Sequence, residues 1–217
     1  MDQQQNVFLF VPNLIGYARI VFGLVSFYYM PHDYWKATIY YFLSGILDAF
    51  DGYAARLLNQ SSRFGAMLDQ LTDRCATLAL VMCLSSFYPE YMFFFQLSAV
   101  IDIASHWLHL HSHDLTGSQS HKSVDKDRNP LLHLYYTSRP FLFFMCAGND
   151  GFFAFMYLMY FTHGPKLPLL PLGLWQLCAA LCFPVMLVKS AISLVHLVTA
   201  AQTVADVDVR QRAAKTD

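Results

Sequence analysis

Four aspartates stand in an otherwise apolar stretch of the chain, and their spacing suits residues that share one face of a helix. Asp48 and Asp51 are separated by three positions, and Asp69 and Asp73 by four. Residues three or four apart lie on the same side of an α-helix, which turns once in about 3.6 residues. The sequence therefore predicts two helices, each with a pair of carboxylates on one face.

A polar turn joins the two acidic helices. The segment "NQSSR", residues 59–63, is short enough to return the second helix antiparallel beside the first, so the two acidic faces can meet. An ionised aspartate at the centre of a membrane helix costs roughly 2.5–3.5 kcal/mol, so four of them cannot face lipid. Arg56 and Arg74 are too few to balance them, and crowded carboxylates favour either raised pKa values or divalent cations. Hard oxygen ligands in this number suit magnesium or manganese.

Small residues border the acids. Gly52 follows Asp51, and Gly65 lies one turn before Asp69. Glycine leaves room for a bulky ligand to lie against the backbone. Because magnesium usually keeps part of its coordination shell for water and substrate phosphate, the pattern indicates a metal site that takes a phosphate-bearing substrate.

The composition indicates an all-α, polytopic integral membrane protein. Of the 217 residues 56% are hydrophobic and only 13% are charged. A membrane-spanning helix needs about 20 mostly apolar residues. Six transmembrane helices are predicted, and they form a single domain over residues 1–217 with a tail at 202–217 that is a frayed helix or disordered. The predicted spans are Phe8–Met30, Ala37–Leu58, Phe64–Tyr88, Met92–His111, Ser138–Phe161 and Leu172–Ala200.

The placement of basic residues predicts the orientation. With six spans, most lysines and arginines of the loops and termini fall on one side, which the positive-inside rule assigns to the cytosol. Both termini and the turn between the acidic helices are then cytosolic. The net charge of −1 offers no basic surface for nucleic acid.

The acidic motif is similar to a known signature. The CDP-alcohol phosphotransferase family carries eight fixed positions, and this chain matches all of them with Asp48, Asp51, Gly52, Ala55, Arg56, Gly65, Asp69 and Asp73. Outside the motif, "FVPNLIGYARIVF", "YYTSRP" and "AISLVHLVTAA" resemble the branch of the family that makes phosphatidylinositol in eukaryotes. The resemblance extends over nearly the whole chain.

This resemblance implies a fold and a reaction. It implies six helices, usually paired as a homodimer, in the endoplasmic reticulum membrane with a cytosolic active site. The reaction is transfer of a phosphatidyl group from CDP-diacylglycerol to myo-inositol, with release of CMP and dependence on magnesium or manganese. Transfer to a different alcohol is the main alternative.

The resemblance also implies residue roles. The metal ligands are Asp48, Asp51, Asp69 and Asp73, and Asp73 is in addition the general base. The CDP-diacylglycerol head group is contacted by Gly52, Arg56 and Ser62. Ser62 could instead cap the third helix. Pro12 and Asn13 lie near the nucleotide in the family, although a plain helix start explains them equally well.

The acceptor pocket is less defined by the sequence. Arg139 and Lys122 are candidate inositol-binding residues, with His106 as a further polar group, and anchoring at the membrane interface is the alternative for Arg139. Two other classes of protein remain open at this point. The histidines in "HWLHLHSHD" would suit a membrane di-iron oxygenase, and intramembrane acids would suit a cation transporter.

Overall fold

The computed structural model describes residues 6–116, 138–166 and 171–215. Within these residues the regular structure is helical, apart from one β-bridge between Lys166 and Gly173. The predicted all-α class is confirmed. Six long helices are described: α1 Val11–Tyr29, α2 Tyr34–Leu57, α3 Arg63–Phe87, α4 Met92–Thr116, α5 Arg139–Phe161 and α6 Leu174–Ala213.

The helix bounds follow the predicted spans closely, and the main difference is at the end of the chain. Helix α6 continues to Ala213, so most of the predicted tail is helical. Short 3₁₀ turns precede α1 and α4, at Val7–Leu9 and Pro89–Tyr91. Asp33 caps the start of α2 by accepting a hydrogen bond from the Lys36 amide at 3.1 Å.

Three of the described helices are long and apolar enough to cross a membrane: Val11–Tyr29, Pro140–Phe161 and Leu174–Ala213. They indicate a membrane protein. Helices α2, α3 and α4 also have the necessary length. Helices α2 and α3 carry the acidic residues of the motif, α4 carries Asp102 and several histidines, and such residues lower the mean hydropathy of a segment. The prediction of six spans therefore depends on how the acids of α2 and α3 and the polar side chains of α4 are paired or neutralised.

The chain divides into two compact units, 1–87 and 88–217. In the first, α1 packs against α2 and α3. Small and hydroxyl residues permit the close approach: Ser26 Oγ donates to the carbonyl of Ala37 at 2.8 Å, and Gly16 lies against the side chain of Leu68. Small residues and interhelical hydrogen bonds are typical of contacts between membrane helices.

In the second unit, α6 packs against α4 and α5. Met145 and Ile192 form a buried apolar contact between α5 and α6, and Gly148 lies directly against Val185. The hydroxyl of Tyr88 donates to the carbonyl of Met156 at 3.0 Å.

Several polar side chains are buried in the described structure, while many large apolar side chains are exposed. Phe93 and Phe143 are each 75% exposed, whereas Asn13 and Arg19 are 1% and 2% exposed. Large exposed apolar surfaces are rare on soluble monomers and suit contact with lipid. Asn13, Arg19 and Asp51 are among the buried polar residues of the first unit, and they belong to the candidate site.

Candidate active site

Helix α2 ends in a defined C-terminal turn. Asn59 has a left-handed conformation with φ of 52°. The amide of Gln60 donates to the carbonyl of Ala55 at 2.9 Å, and that of Asn59 to the carbonyl of Arg56 at 3.5 Å. This is the Schellman pattern, in which asparagine is one of the few residues besides glycine that fits the left-handed position. The pattern stops α2 directly after the motif arginine.

The turn between α2 and α3 is fixed to the start of α1. The side-chain oxygen of Gln60 accepts a hydrogen bond from the Val11 amide at 2.9 Å. Ser62 Oγ accepts from the Gly65 amide at 2.9 Å, which is the bond expected of a helix cap. The capping interpretation of Ser62 is therefore confirmed, and the same residue also lines the adjacent pocket.

All four motif aspartates converge on one arginine of α1. Nη1 of Arg19 lies 2.6 Å from Asp51 and 2.6 Å from Asp69. Nη2 lies 2.5 Å from both Asp48 and Asp73. The side chain of Asp51 is 11% exposed, while those of the other three acids are 40 to 46% exposed. Asp51 is therefore the buried carboxylate of the cluster, and the other three carboxylates are partly exposed.

Arg19 is the functional residue that the sequence reasoning missed. The comparison of charges considered only Arg56 and Arg74, which lie within the acidic stretch, whereas the neutralising cation comes from a helix about 30 positions earlier. A signal was present, since an arginine in the middle of an apolar span is costly unless it is paired. The acids provide the pairing that Arg19 needs in an apolar span, and Arg19 provides part of the positive charge that the acids need.

A pocket of about 220 Å³ adjoins the carboxylates. Its walls come from the start of α1, the end of α2, the turn and the start of α3, and they include the side chains of Asp51 and Asp69. The structure thus brings together the three residues predicted to bind the head group, namely Gly52, Arg56 and Ser62. The Arg56 guanidinium lies beside Gly52, with Nη1 3.5 Å from the position that a Cβ there would take.

Pro12 and Asn13 also line this pocket. Asn13 Nδ2 donates to the carbonyl of Val7 at 2.6 Å, while its Oδ1 is buried and has no hydrogen-bond partner. A buried acceptor without a partner costs free energy, so this atom is suited to accept a bond from a ligand. A plain helix start does not explain it.

The carboxylates are a suitable donor set for a divalent cation. Asp48, Asp51 and Asp69 each offer one oxygen, and these oxygens lie within 4.8 Å of one another. Asp73 is not part of that group but contacts the same guanidinium. Hard carboxylate oxygens match magnesium or manganese. Among the described residues, the group of possible metal ligands consists of these aspartates and includes no histidine.

The predicted acceptor residues stay a prediction. Lys122 lies outside the described residues. Arg139 begins α5, and its side chain also lies outside the described part of the structure. His106 belongs to the second unit, where its Nδ1 is 2.8 Å from the carbonyl of Asp102 and 3.4 Å from the carboxylate of the same residue.

Comparisons with known proteins agree with the motif. The family model described as CDP-alcohol phosphatidyltransferase matches residues 9–129. Proteins named CDP-diacylglycerol--inositol 3-phosphatidyltransferase are similar over almost the full length. The one from Rattus norvegicus is 55% identical, covering 98% of this chain and 99% of the relative.

The relative of that name from Homo sapiens is 54% identical, covering 97% of this chain and 98% of its own. The one from Drosophila melanogaster is 48% identical, covering 97% and 91%. No solved structure matches the chain. With more than half of its residues in the family match and with relatives this similar, the chain belongs to the CDP-alcohol phosphatidyltransferase family.

Proposed function

We propose that this protein transfers the phosphatidyl group of CDP-diacylglycerol to myo-inositol, giving phosphatidylinositol and CMP. The names of its near full-length relatives support this reaction. The observation that carries the proposal is the carboxylate cluster of α2 and α3 beside a pocket that holds Gly52, Arg56 and Ser62. A cluster of acids alone would suit cation transport, but cation transport does not require the glycine and arginine of the pocket.

The pocket residues have distinct roles in holding the donor. Arg56 binds the pyrophosphate oxygens, for which its planar guanidinium is well shaped. Gly52 lets the phosphates approach the backbone of α2, because no side chain stands between. Ser62 keeps the start of α3 in place through its bond to Gly65 and contacts the head group from the turn. Asn13 Oδ1 accepts a hydrogen bond from the nucleotide side of the donor.

In the displacement, an inositol hydroxyl oxygen forms a bond to the lipid-side phosphorus, and the bond from that phosphorus to the oxygen of CMP breaks. The hydroxyl proton passes to the carboxylate of Asp73. Asp48, Asp51, Asp69 and Asp73 hold magnesium or manganese, and a bound divalent cation supplies neutralisation of the charge on the pyrophosphate. No covalent intermediate with the protein is required.

The membrane arrangement follows from the neutralisation of the acids. With Arg19 and metal in place, α2 and α3 join the three apolar helices as spans. Helix α4 is the sixth span, and six spans put the site near the cytosolic face of the endoplasmic reticulum. The wide distribution of exposed apolar side chains supports contact with lipid and with a second copy of the chain in a homodimer. Arg139 and Lys122 bind the inositol.

The proposal is tested by identifying the lipid product. Purified protein is incubated with CDP-diacylglycerol and, in separate reactions, myo-inositol, glycerol 3-phosphate, serine or ethanolamine, with and without Mg²⁺ or Mn²⁺. We expect phosphatidylinositol and CMP only with inositol and metal. A product formed with another alcohol would keep the reaction class but overturn the acceptor, and the absence of any product from folded, metal-loaded protein would overturn the enzyme assignment.

A further inference from the structure

The guanidinium of Arg19 has one terminal N–H group for each of the four acids. A guanidinium carries four terminal N–H groups, two on each Nη, and a fifth on Nε. Nη1 bonds Asp51 and Asp69, and Nη2 bonds Asp48 and Asp73, so each terminal nitrogen serves two carboxylates. An ammonium has only three donors and no fixed plane, so a lysine cannot reproduce this arrangement.

The arginine is held firmly at this position. Its side chain is 2% exposed, and its backbone carbonyl accepts a hydrogen bond from Ser44 Oγ at 3.1 Å, which fixes α1 against α2 at this level. Nε is buried and has no hydrogen-bond partner among the described residues. Four strong contacts thus outweigh one unsatisfied donor, and the charged end of the side chain has a single well-defined place.

The balance of charge leaves the cluster attractive to further cations. Four carboxylates against one guanidinium leave a net charge of −3 if all are ionised. The carboxylates that offer oxygens to a divalent cation, those of Asp48, Asp51 and Asp69, are the same carboxylates that Arg19 contacts. A cation that enters among these oxygens is therefore repelled by the guanidinium at close range.

We infer that Arg19 is the resident counter-ion of the metal-free site, and that it sets the affinity for metal by competition. It holds the four carboxylates together before metal arrives, and it gives up contacts with them as metal binds. Arg19 is thus a positioning residue, and this inference rests on the metal site of the proposed function. Repulsion among the acids would otherwise separate α2 from α3 in the absence of metal.

Two matched variants separate charge from shape. Arg19→Gln removes the charge and leaves a shorter polar side chain, and Arg19→Lys keeps the charge but loses the four-point contact. Binding of Mg²⁺ alone is followed by calorimetry, and the melting temperature is measured without metal. We expect both variants to have a lower melting temperature than wild type. Arg19→Gln should bind Mg²⁺ at least about tenfold more tightly than wild type, and Arg19→Lys should bind it with an affinity within about threefold of wild type. Unchanged or weaker binding by Arg19→Gln would overturn the inference.

A measurement on the wild-type chain keeps the inference testable even if Arg19→Gln does not fold. In protein labelled with ¹⁵N-arginine, the Nη signals that are missing from Arg19→Lys belong to Arg19, and restricted rotation should keep them distinct without metal. We expect these signals to merge or shift on saturation with Mg²⁺. Signals unchanged by bound Mg²⁺ would contradict the competition, whereas failure of the wild type to bind Mg²⁺ at all would contradict the proposed metal site itself.

Discussion

Gly65 and Asn13 lie so close that residue 65 has no room for a side chain. A Cβ at position 65 would stand 2.7 Å from Asn13 Oδ1 and 3.1 Å from Ser62 Oγ. Both residues line the pocket. The glycine of the motif is therefore required by the approach of α1 to the start of α3, and its lack of a side chain leaves space beside the buried Asn13 oxygen.

Gly65→Ala is expected to lower both stability and donor binding. The added methyl must displace Asn13 or the Ser62 cap, and overpacking of this kind costs typically about 1–3 kcal/mol. We expect the KM for CDP-diacylglycerol to rise, with a lower melting temperature. Gly45→Ala is the matched control, because nothing lies within 4 Å of a Cβ at that position of α2. It should stabilise the protein by about 0.4–1 kcal/mol and leave the KM unchanged. Equal effects of the two substitutions would contradict the role of the Asn13 contact.

Asp73→Asn separates the two roles proposed for Asp73. The amide keeps the size and an oxygen that can still accept from Arg19, but it cannot take up the proton of the inositol hydroxyl. We expect CDP-diacylglycerol to bind normally at saturating metal and kcat to fall by a factor on the order of 10²–10⁴, the usual contribution of a positioned base. The assay is steady-state CMP release with binding followed separately. Full recovery of kcat at high Mg²⁺ or Mn²⁺ would leave Asp73 as a metal ligand only.

Arg139→Ala tests the proposed acceptor site. If Arg139 binds inositol, its loss raises the KM for inositol and leaves that for CDP-diacylglycerol intact. Arg139→Lys, which keeps the charge but not the planar donor arrangement, should have an intermediate effect. An equal rise in both KM values would indicate instead that Arg139 supports the fold at the start of α5.

The sequence predicted the helices and the acidic pairs well, because both depend on local periodicity. The predicted span Phe64–Tyr88, for example, differs from α3, Arg63–Phe87, by one residue at each end. The capping role of Ser62 also follows from its position before a helix. Ligand roles for the acids stay predictions.

The sequence did not predict the contacts between helices that are distant along the chain. Arg19 is separated from Asp51 by 32 positions and from Asp73 by 54. The pattern of α1 alone does not say which neighbour its arginine faces. The approach of Asn13 to Gly65 is hidden for the same reason, because it depends on how α1 crosses α3 and not on any local preference.

Asp51→Ala tests most directly whether the carboxylate cluster is a catalytic metal site. Protein freed of metal with a chelator is titrated with Mg²⁺ while CMP release is followed in the presence of CDP-diacylglycerol and inositol. Asp33→Asn serves as a control, since it alters an acid at the start of α2 and keeps a capping side chain. We predict that wild type and Asp33→Asn recover activity with Mg²⁺, and that Asp51→Ala, like Asp48→Ala and Asp69→Ala, stays at background at every concentration. Near-normal turnover by well-folded Asp51→Ala would contradict the account.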